Sequence, residues 1–420
     1  MTLDDRLRND ANELAPGMIE MRHDLHRHPE IGLDLPRTQQ AVLTALEGLP
    51  LEIAVGTGCT SVTAVLRGTG AAAGTAGAAG AANGGPAAAV LLRGDMDALP
   101  VQEDTGLEFT SRIDGAMHAC GHDLHTAMLA GAARLLSAHR DQLAGDVVFM
   151  FQPGEEGHNG AGVMIGEGVL DAAGPRVQRA YGMHVISGGI PRGQFTTRPG
   201  TLMASSDSLR VTVQGTGGHG SAPHRSQDPV TVAAEMVVSL QAMVTRQFSI
   251  FDPVVLTVGL FQAGTRRNII PEQATFEATV RAFSPGARER IETASVRLCQ
   301  GIAAAHGLTA DVRYVTEYPV TVNDAGQAGF AAGVAAEVFG DGRYAAMPDP
   351  EAGSEDFSRV LAEVPGCYLF LGSWPGDDHE TAPDNHSPLA SFDDSVLADG
   401  CLLHAHLAIR ALRELSAAAG

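Results

Sequence analysis

Residues 149–157 of the chain read Phe-Met-Phe-Gln-Pro-Gly-Glu-Glu-Gly, an apolar run that stops at Pro-Gly and is followed by two carboxylates. The apolar half is typical of a buried strand, and Pro153 and Gly154 are residues that end one. In open α/β sheets, ligands bind at the carboxyl ends of the strands. The stretch therefore predicts that Glu155 and Glu156 lie at a ligand-binding edge of an α/β sheet.

A second chemical cluster lies upstream, where residues 117–125 read Met-His-Ala-Cys-Gly-His-Asp-Leu-His. A thiol, imidazoles and a carboxylate crowd around Gly121, which lets the backbone turn sharply. Residues 126–140 carry apolar side chains at helical spacing, so the cluster is predicted to lie in the loop that opens a helix. Together with Glu155 and Glu156, this cluster favours a metal-dependent hydrolase.

The wider pattern predicts an α/β fold, in which a mainly parallel mixed sheet is flanked by helices. Strands are predicted at residues 146–151, 179–185 and 368–371, and a further helix is predicted at residues 327–339. Strands that alternate with helices along the chain are typical of parallel sheets with helices on their faces.

Residues 70–89 are almost only Gly and Ala, a composition that cannot build a core. We interpret this segment as a surface loop without a function. The apolar runs beside it, at residues 60–66 and 88–92, are predicted to be strands joined as an elongated hairpin. The second run leads into Asp95 and Asp97, so another carboxylate pair follows a strand end.

Residues 208–316 have a pattern of their own, with elements in the order βαββαβ. This order is the split βαβ plan of a ferredoxin-like α+β domain. Because the α/β pattern resumes afterwards, the ferredoxin-like domain is predicted to be an insertion. The predicted organisation is a catalytic domain in two parts, residues 1–200 and 317–420, with an inserted lid or dimerisation domain at residues 201–316.

The composition restricts the class of protein and its partners. A chain of 420 residues is long enough for two domains, and a formal net charge of −21 disfavours nucleic acid and anionic membrane as partners. No apolar run approaches the ~20 residues of a membrane span, and the first ten residues are charged, unlike a signal peptide. Five widely spaced cysteines fit a reducing compartment better than a disulfide framework. We therefore expect a cytoplasmic protein.

Eight short motifs lie, in order, at residues 22–30, 95–100, 118–123, 152–157, 217–219, 268–271, 353–357 and 385–388. Together these motifs resemble one family, the metallo-amidohydrolases that include hippurate hydrolase, bacterial aminoacylases and plant indoleacetyl-amino-acid hydrolases. The resemblance covers nearly the whole chain and implies a metallo-exopeptidase-like catalytic domain.

The resemblance implies two divalent metal ions per subunit, Zn²⁺ or Mn²⁺ with Co²⁺ or Ni²⁺ as alternatives. The chemistry is compatible, since thiolate, imidazole and carboxylate groups bind such ions. The thiolate of the cysteine ligand is expected to be shared between the ions. The implied ligands are Cys120, His122, Glu156, His184 and His386.

The resemblance also assigns the other parts of the reaction. Glu155 is implied as the general base that deprotonates a metal-activated water. His219 is implied to reach the active site of a partner subunit and to stabilise the developing oxyanion, which requires a homodimer formed through the inserted domain. Asn268 and Arg281 resemble the residues that hold the substrate carboxylate. We note that Arg281 has an alternative interpretation as a solvated strand residue.

Several polar residues are interpreted as supporting rather than reacting. Asp95 and Asp97 are expected to orient a histidine ligand, and Asp95 stands where related enzymes that lack the cysteine carry histidine. His118 and His125 are expected to be structural or to orient ligands. The remaining histidines of the first motif, at positions 23, 26 and 28, are interpreted as structural.

The leading hypothesis is hydrolysis of an N-acyl amino acid, hippurate-like or otherwise acylated, to an acid and a free amino acid. The residues His158-Asn159 stand where relatives usually have more glycine, which leaves the preferred substrate open. One alternative makes Cys120 a nucleophile with a histidine base, without a metal. That alternative leaves Glu155, Glu156 and His386 unexplained. Another is a non-catalytic metal-binding protein, in which Glu155 has no role.

Overall fold

The computed structural model describes residues 1–70 and 88–419, which form two compact units. The first, called the main unit, comprises Met1–Gly200, Val322–Pro348 and Arg359–Gly420. The second, called the small unit, comprises Thr201–Thr321 and Asp349–Ser358. Most of the Gly/Ala-rich segment that we interpret as a surface loop lies outside the described residues. No helix in the described ranges combines the length and apolar character needed to cross a membrane.

The elements are numbered along the chain. The strands are β1 (Leu51–Val55), β2 (Val62–Leu66), β3 (Ala89–Asp95), β4 (Asp146–Gln152), β5 (Arg179–Ile186), β6 (Phe195–Thr197), β7 (Gly200–Met203), β8 (Ser206–Gln214), β9 (Gly218–His219), β10 (Val254–Ala263), β11 (Ile269–Ile270), β12 (Gln273–Ala282), β13 (Thr309–Tyr318), β14 (Thr321–Asn323), β15 (Tyr344–Ala346) and β16 (Gly366–Gly372). The helices are α1 (Leu3–Arg27), α2 (Pro36–Leu46), α3 (His122–Ala138), α4 (Gly160–Gly166), α5 (Pro229–Gln247), α6 (Pro285–Ala305), α7 (Ala325–Phe339), α8 (Ser358–Glu363) and α9 (Val396–Ala419).

The main unit is built on a mixed sheet of eight strands in the order β1-β2-β4-β3-β5-β16-β6-β15. The central strands β4, β3, β5 and β16 are parallel, and antiparallel pairs lie toward the edges. Every residue of β3, β4 and β16 is buried, which explains why these strands are mainly apolar and do not alternate between apolar and polar residues. The predicted α/β class with a mainly parallel sheet is confirmed.

The predicted hairpin between the strands that flank the Gly/Ala-rich segment is wrong. Strand β4 lies between β2 and β3 and pairs with both, antiparallel to β2 and parallel to β3. The reason is that β4 is buried on both faces along its whole length and apolar at its five central residues, so it is stable only with a neighbour on each side. Adjacency in sequence therefore gave the wrong partner for both strands.

Helices α1, α3 and α9 pack into one core with the central strands. Leu7 on α1, Leu129 on α3 and Leu403 on α9 are all fully buried in this core. The helix α3 is buried along almost its entire length, which fixes the loop from which it starts.

The small unit has an antiparallel sheet in the order β10-β12-β8-β13, packed with α5 and α6. Along the chain, the four strands of this sheet and the two helices follow the order β8-α5-β10-β12-α6-β13, which is the βαββαβ order predicted from the sequence. Both helices begin with a side-chain cap followed by proline, Asp228-Pro229 in α5 and Ser284-Pro285 in α6. These are strong helix-start signals, because the cap satisfies a free backbone N–H and proline has none to satisfy.

Candidate active site

The cysteine loop of the main unit is shaped by Gly121, which has a φ of 81° and directly precedes α3. A Cβ at this position would lie 2.3 Å from Cγ2 of Val185 on β5, so only glycine fits. Upstream, Met117 exchanges two backbone hydrogen bonds with Leu99 at 3.0 Å. These constraints place Cys120 just before the helix and His122 at its first residue.

Cys120 lies at the centre of a group of potential metal ligands. Its Sγ is 3.3 Å from Nε2 of His184 and 3.2 Å from Nε2 of His386. The Oε1 atom of Glu156 is 3.2 Å from His386 Nε2 and 4.0 Å from His122 Nε2. Two three-residue groups share the cysteine: Cys120, His122 and His184 form one, and Cys120, Glu156 and His386 form the other.

The position of His386 is set by backbone contacts with the cysteine loop. Its backbone N–H donates to the carbonyl of Ala119 at 2.8 Å, and its φ of 70° is a left-handed conformation that side chains rarely adopt. The side chain of Asn385 donates to the carbonyls of Cys120 and Val185, at 3.3 and 3.1 Å. The contribution of Asn385 was not predicted from the sequence, although it is the first residue of the Asn-His-Ser-Pro motif.

Asp97 holds the turn that carries the two glutamates. Its carboxylate accepts hydrogen bonds from the backbone N–H groups of Glu155 and Glu156, at 2.9 and 3.0 Å. One carboxylate oxygen is also 3.5 Å from Nδ1 of His122. Gly154, with a φ of 72°, lets the chain turn just before the two glutamates. Asp97 therefore links the orientation of a histidine to the position of both carboxylates.

Asp95 organises the other side of the histidine cluster. Its carboxylate accepts a hydrogen bond from Nη1 of Arg93 at 2.6 Å, and its other oxygen lies 2.5 Å from Nδ1 of His125. Because Nε2 of His125 accepts a hydrogen bond from the N–H of Val185, the proton of the neutral ring is on Nδ1 and is donated to Asp95. Asp95 also lies 3.5 Å from Nε2 of His122. The buried Arg93 was not predicted from the sequence. A charged residue within an apolar strand, two residues before Asp95, is the feature that could have indicated it.

The donor atoms fit a bound cation. Both ring nitrogens of His122 and Oε1 of Glu156 are buried and make no hydrogen bond of acceptable geometry with the described residues. Buried polar atoms without partners are unfavourable, so their convergence with a thiol and imidazoles indicates a ligand that binds them. Thiolate, imidazole and carboxylate groups are the donors that Zn²⁺ and similar ions take.

The electrostatics of the site also favour positive charge. Burial alone would lower the pKa of His122, but Asp95, Asp97 and Cys120 together outweigh burial and hold this pKa well above its usual range. A hydrogen bond with Cys120 raises the pKa of His386 to about 10. The cluster therefore stabilises cations at two separate histidines.

Glu155, the predicted general base, lies beside the ligand group rather than apart from it. Its side chain is 7% exposed, and a carboxylate oxygen lies within 4.8 Å of ligand atoms of His122 and Glu156. The structure thus brings Glu155 together with all five predicted ligands and with Asp95 and Asp97.

The other predicted site residues belong to the small unit. His219 is exposed on β9 and accepts a hydrogen bond at Nδ1 from the backbone N–H of Ser221, so the neutral ring carries its proton on Nε2. Strand β9 pairs with β11, and the N–H of Gly220 donates to the carbonyl of Asn268 at 2.9 Å. Arg281 on β12 is half-buried and donates to Ser354 at 2.9 Å.

A profile of the family described as peptidase family M20/M25/M40 matches residues 91–410. The chain belongs to this family. The predicted resemblance is thus confirmed, and so is the prediction that the protein is a hydrolase. As a member of the M20 family, it is a metal-dependent amidohydrolase or peptidase.

Named relatives cover nearly the whole chain. Thermostable carboxypeptidase 1 of Saccharolobus solfataricus is 35% identical over 414 residues, which are 98% of this chain and 99% of the relative. Hippurate hydrolase of Campylobacter jejuni is 34% identical over 395 residues, 94% and 96% of the two chains. A solved structure from Bacillus subtilis is described as a dinuclear metal binding peptidase from the M20 family. It matches this chain with a TM-score of 0.79 and 31% sequence identity, and the match covers 96% of this chain and 99% of the solved chain.

Proposed function

We propose that this M20 enzyme hydrolyses the amide bond of N-acyl amino acids and releases a carboxylic acid and a free amino acid. The observation that carries the proposal is the ligand group around Cys120, with the carboxylate of Glu155 beside it and buried. The relatives support the substrate class. A carboxypeptidase and a hippurate hydrolase both cleave an amide whose amine half is an amino acid with a free carboxylate.

Two divalent ions are proposed at this site, Zn²⁺ or Mn²⁺ with Co²⁺ or Ni²⁺ as alternatives. Cys120 belongs to both three-residue groups, which supports a thiolate shared between the ions. When bound, the ions supply positive charge that polarises the amide carbonyl and lowers the pKa of water. The proposed ligands are Cys120, His122, Glu156, His184 and His386.

Glu155 is proposed to move the proton. Its carboxylate takes a proton from the attacking water and passes it to the nitrogen of the leaving amine, so the amino acid departs neutral at nitrogen. Asp97 fixes the backbone on which this carboxylate is carried, through its hydrogen bond to the N–H of Glu155. The low exposure of Glu155 keeps bulk water from competing for the proton.

The test is Glu155→Gln, assayed on hippurate and on a series of N-acyl amino acids. The variant enzyme should retain bound metal while its kcat falls by at least ~10²-fold, because the neutral side-chain amide of glutamine cannot accept the proton from water. The matched control is the neighbouring Glu156→Gln, which should lose metal instead. A near-normal kcat in Glu155→Gln rules out its assignment as the base.

Metal removal separates this proposal from the two alternatives. A chelated enzyme that keeps its activity but loses it on alkylation would favour Cys120 as a nucleophile. Metal binding without turnover of any N-acyl amino acid would favour a binding protein. The proposed hydrolase loses activity on chelation and regains it when metal is returned.

A homodimer formed through the small unit is part of the proposal. Strand β10 is an edge strand of its sheet, and Leu260 and Phe261 on it are 40% and 42% exposed. Ile250 and Phe251, in the loop before β10, are 84% and 92% exposed. Edge strands and exposed apolar side chains are features that protein interfaces cover. In such a dimer, His219 is proposed to act in the partner subunit's active site, with Asn268 and Arg281 holding the substrate carboxylate.

The five cysteines are all free and buried. This supports the proposal that the enzyme works in the cytoplasm, where thiols stay reduced.

A further inference from the structure

The first motif of the chain has no role in the proposed reaction, yet two of its side chains are buried in the main unit. Arg22 and His26 lie on one face of α1 and are each 1% exposed. Nε of Arg22 donates to Oδ2 of Asp123 at 3.2 Å, and Nδ1 of His26 lies 2.9 Å from the same oxygen. The other ring nitrogen of His26 is 3.3 Å from Oε1 of Glu103. Asp123 is thus held by two cationic side chains from α1.

The same guanidinium has a second carboxylate partner. Nη1 of Arg22 donates to Oδ1 of Asp394, and Nε2 of His23 is 2.8 Å from the other oxygen of that carboxylate. The ring of Phe109 covers both side chains, with its centroid 3.7 Å from that of His23 and 5.0 Å from the guanidinium carbon of Arg22. Arg22 therefore bridges Asp123 and Asp394, which are far apart in sequence.

These two carboxylates belong to the segments that carry the proposed ligands. Asp123 directly follows His122 in the first turn of α3, and Asp394 lies in the segment between His386 and α9. The loop that supplies Glu103 also contacts the second segment, since the N–H of Asp104 donates to the carbonyl of Pro388 at 2.9 Å. One buried arginine thus connects the segment of Cys120 and His122 with the segment of His386.

A buried ion pair is weak support for a role in stability alone, because desolvation of the charges offsets much of their attraction. A role in geometry accounts better for an arginine here. Its planar fork can direct separate N–H groups at two carboxylates, whereas the ammonium group of lysine is a single point charge on a flexible chain. Outer hydrogen bonds of this kind fix the orientation of metal ligands in proteins.

We propose that Arg22 is a positioning residue for the metal site, and that its guanidinium sets the spacing between the Cys120–His122 loop and the His386 segment. The inference rests on the proposed two-metal function. Arg22 touches neither substrate nor ions in this scheme. It acts through Asp123 and Asp394.

The test compares Arg22→Lys and Asp394→Asn with the wild type, using Co²⁺ as the probe. Arg22→Lys keeps the buried charge but loses the fork. Asp394→Asn removes the negative charge from one of the two partners of Arg22, at a side chain that is 26% exposed and so tolerates replacement. Each variant should bind Co²⁺ about 10- to 100-fold more weakly, with a changed cobalt–thiolate absorption band. Saturating metal should restore part of the activity. The matched control is Arg37→Lys, which alters an exposed pair with Asp24 and should bind Co²⁺ like the wild type.

The outcomes distinguish this inference from the proposed function. A wild-type protein that binds no Co²⁺ at Cys120 overturns the metal site itself, and the inference with it. If the wild type binds two ions and both variants bind with unchanged affinity and an unchanged thiolate band, the proposed function stands and the positioning role is refuted. The positioning role is also refuted if the variants only lower the unfolding temperature of the metal-free protein without changing its affinity for Co²⁺.

Discussion

Replacing His26 should remove a pH dependence of stability that the wild-type protein has in mildly alkaline solution. Burial lowers the tendency of this ring to carry charge, but Asp123 and Glu103 outweigh burial and the nearby Arg22, and they raise the pKa of His26 from 6.5 to about 9. His118, the other histidine facing this cluster, stays neutral there because burial lowers its pKa to about 3. Between pH 6.5 and about 9, His26 is therefore mainly charged in the folded protein and mainly neutral in the unfolded chain.

The magnitude follows from this difference in pKa. Because the folded-state pKa is the higher one, the contribution is fully present below pH 6.5 and is lost as the pH rises through about 9. The difference between the two pKa values of His26 corresponds to about 3 kcal/mol of stability. Deprotonation of His26 should therefore lower the free energy of unfolding by at most about 1.4 kcal/mol per pH unit.

The assay is urea unfolding of metal-free protein at intervals from pH 6 to pH 10, for the wild type and for His26→Gln. The difference in slope matters rather than the absolute stability, since the variant also leaves Asp123 with one partner fewer. The control is His139→Gln, which removes a pair with Asp10 elsewhere on the protein and should keep the wild-type decline. Parallel curves for the wild type and His26→Gln between pH 6.5 and 9 would refute the reasoning.

Three further predictions concern the site and the assembly. Cys120→Ser should lose metal, because a neutral hydroxyl is a much poorer ligand than a thiolate; full metal content by elemental analysis would remove Cys120 from the site. Gly121→Ala should destabilise the protein to urea by about 1–3 kcal/mol more than Gly115→Ala, because both glycines have a positive φ but only position 121 meets Val185; equal losses would contradict the close contact. Mixing inactive His219→Ala with inactive Glu155→Gln subunits should restore one functional site per heterodimer, whereas confirmed subunit exchange without activity would show that His219 does not act in the partner.

The carboxyl ends of the strands could be predicted from the sequence because local signals mark them. Pro153 and Gly154 end an apolar run, and Gly121 precedes a helical pattern, so the residues beside them are placed by rules that act over a few positions. The structure has Glu155 and Glu156 just after β4, and the cysteine loop just before α3, as these signals predict.

Contacts between distant segments could not be predicted in the same way. The pairing of β2 with β4 depends on an apolar strand about eighty positions further along the chain. The burial of Arg22 depends on two carboxylates that only the folded chain brings near, and Arg93 also contacts Gln152 and Tyr368 on other strands. A charged residue in isolation is typical of the protein surface, so the sequence alone does not predict the burial of these two side chains.

The left-handed backbone of His386 has a consequence for engineering this protein. A non-glycine residue in this conformation stores about 1–3 kcal/mol of strain, which glycine would relieve at once and asparagine in part. Selection of variants only for thermal stability would thus enrich glycine at this position, and every such variant would lack a proposed metal ligand. Thermal stability favours glycine at position 386, whereas the proposed activity requires histidine there. Efforts to stabilise this protein should therefore leave position 386 unchanged.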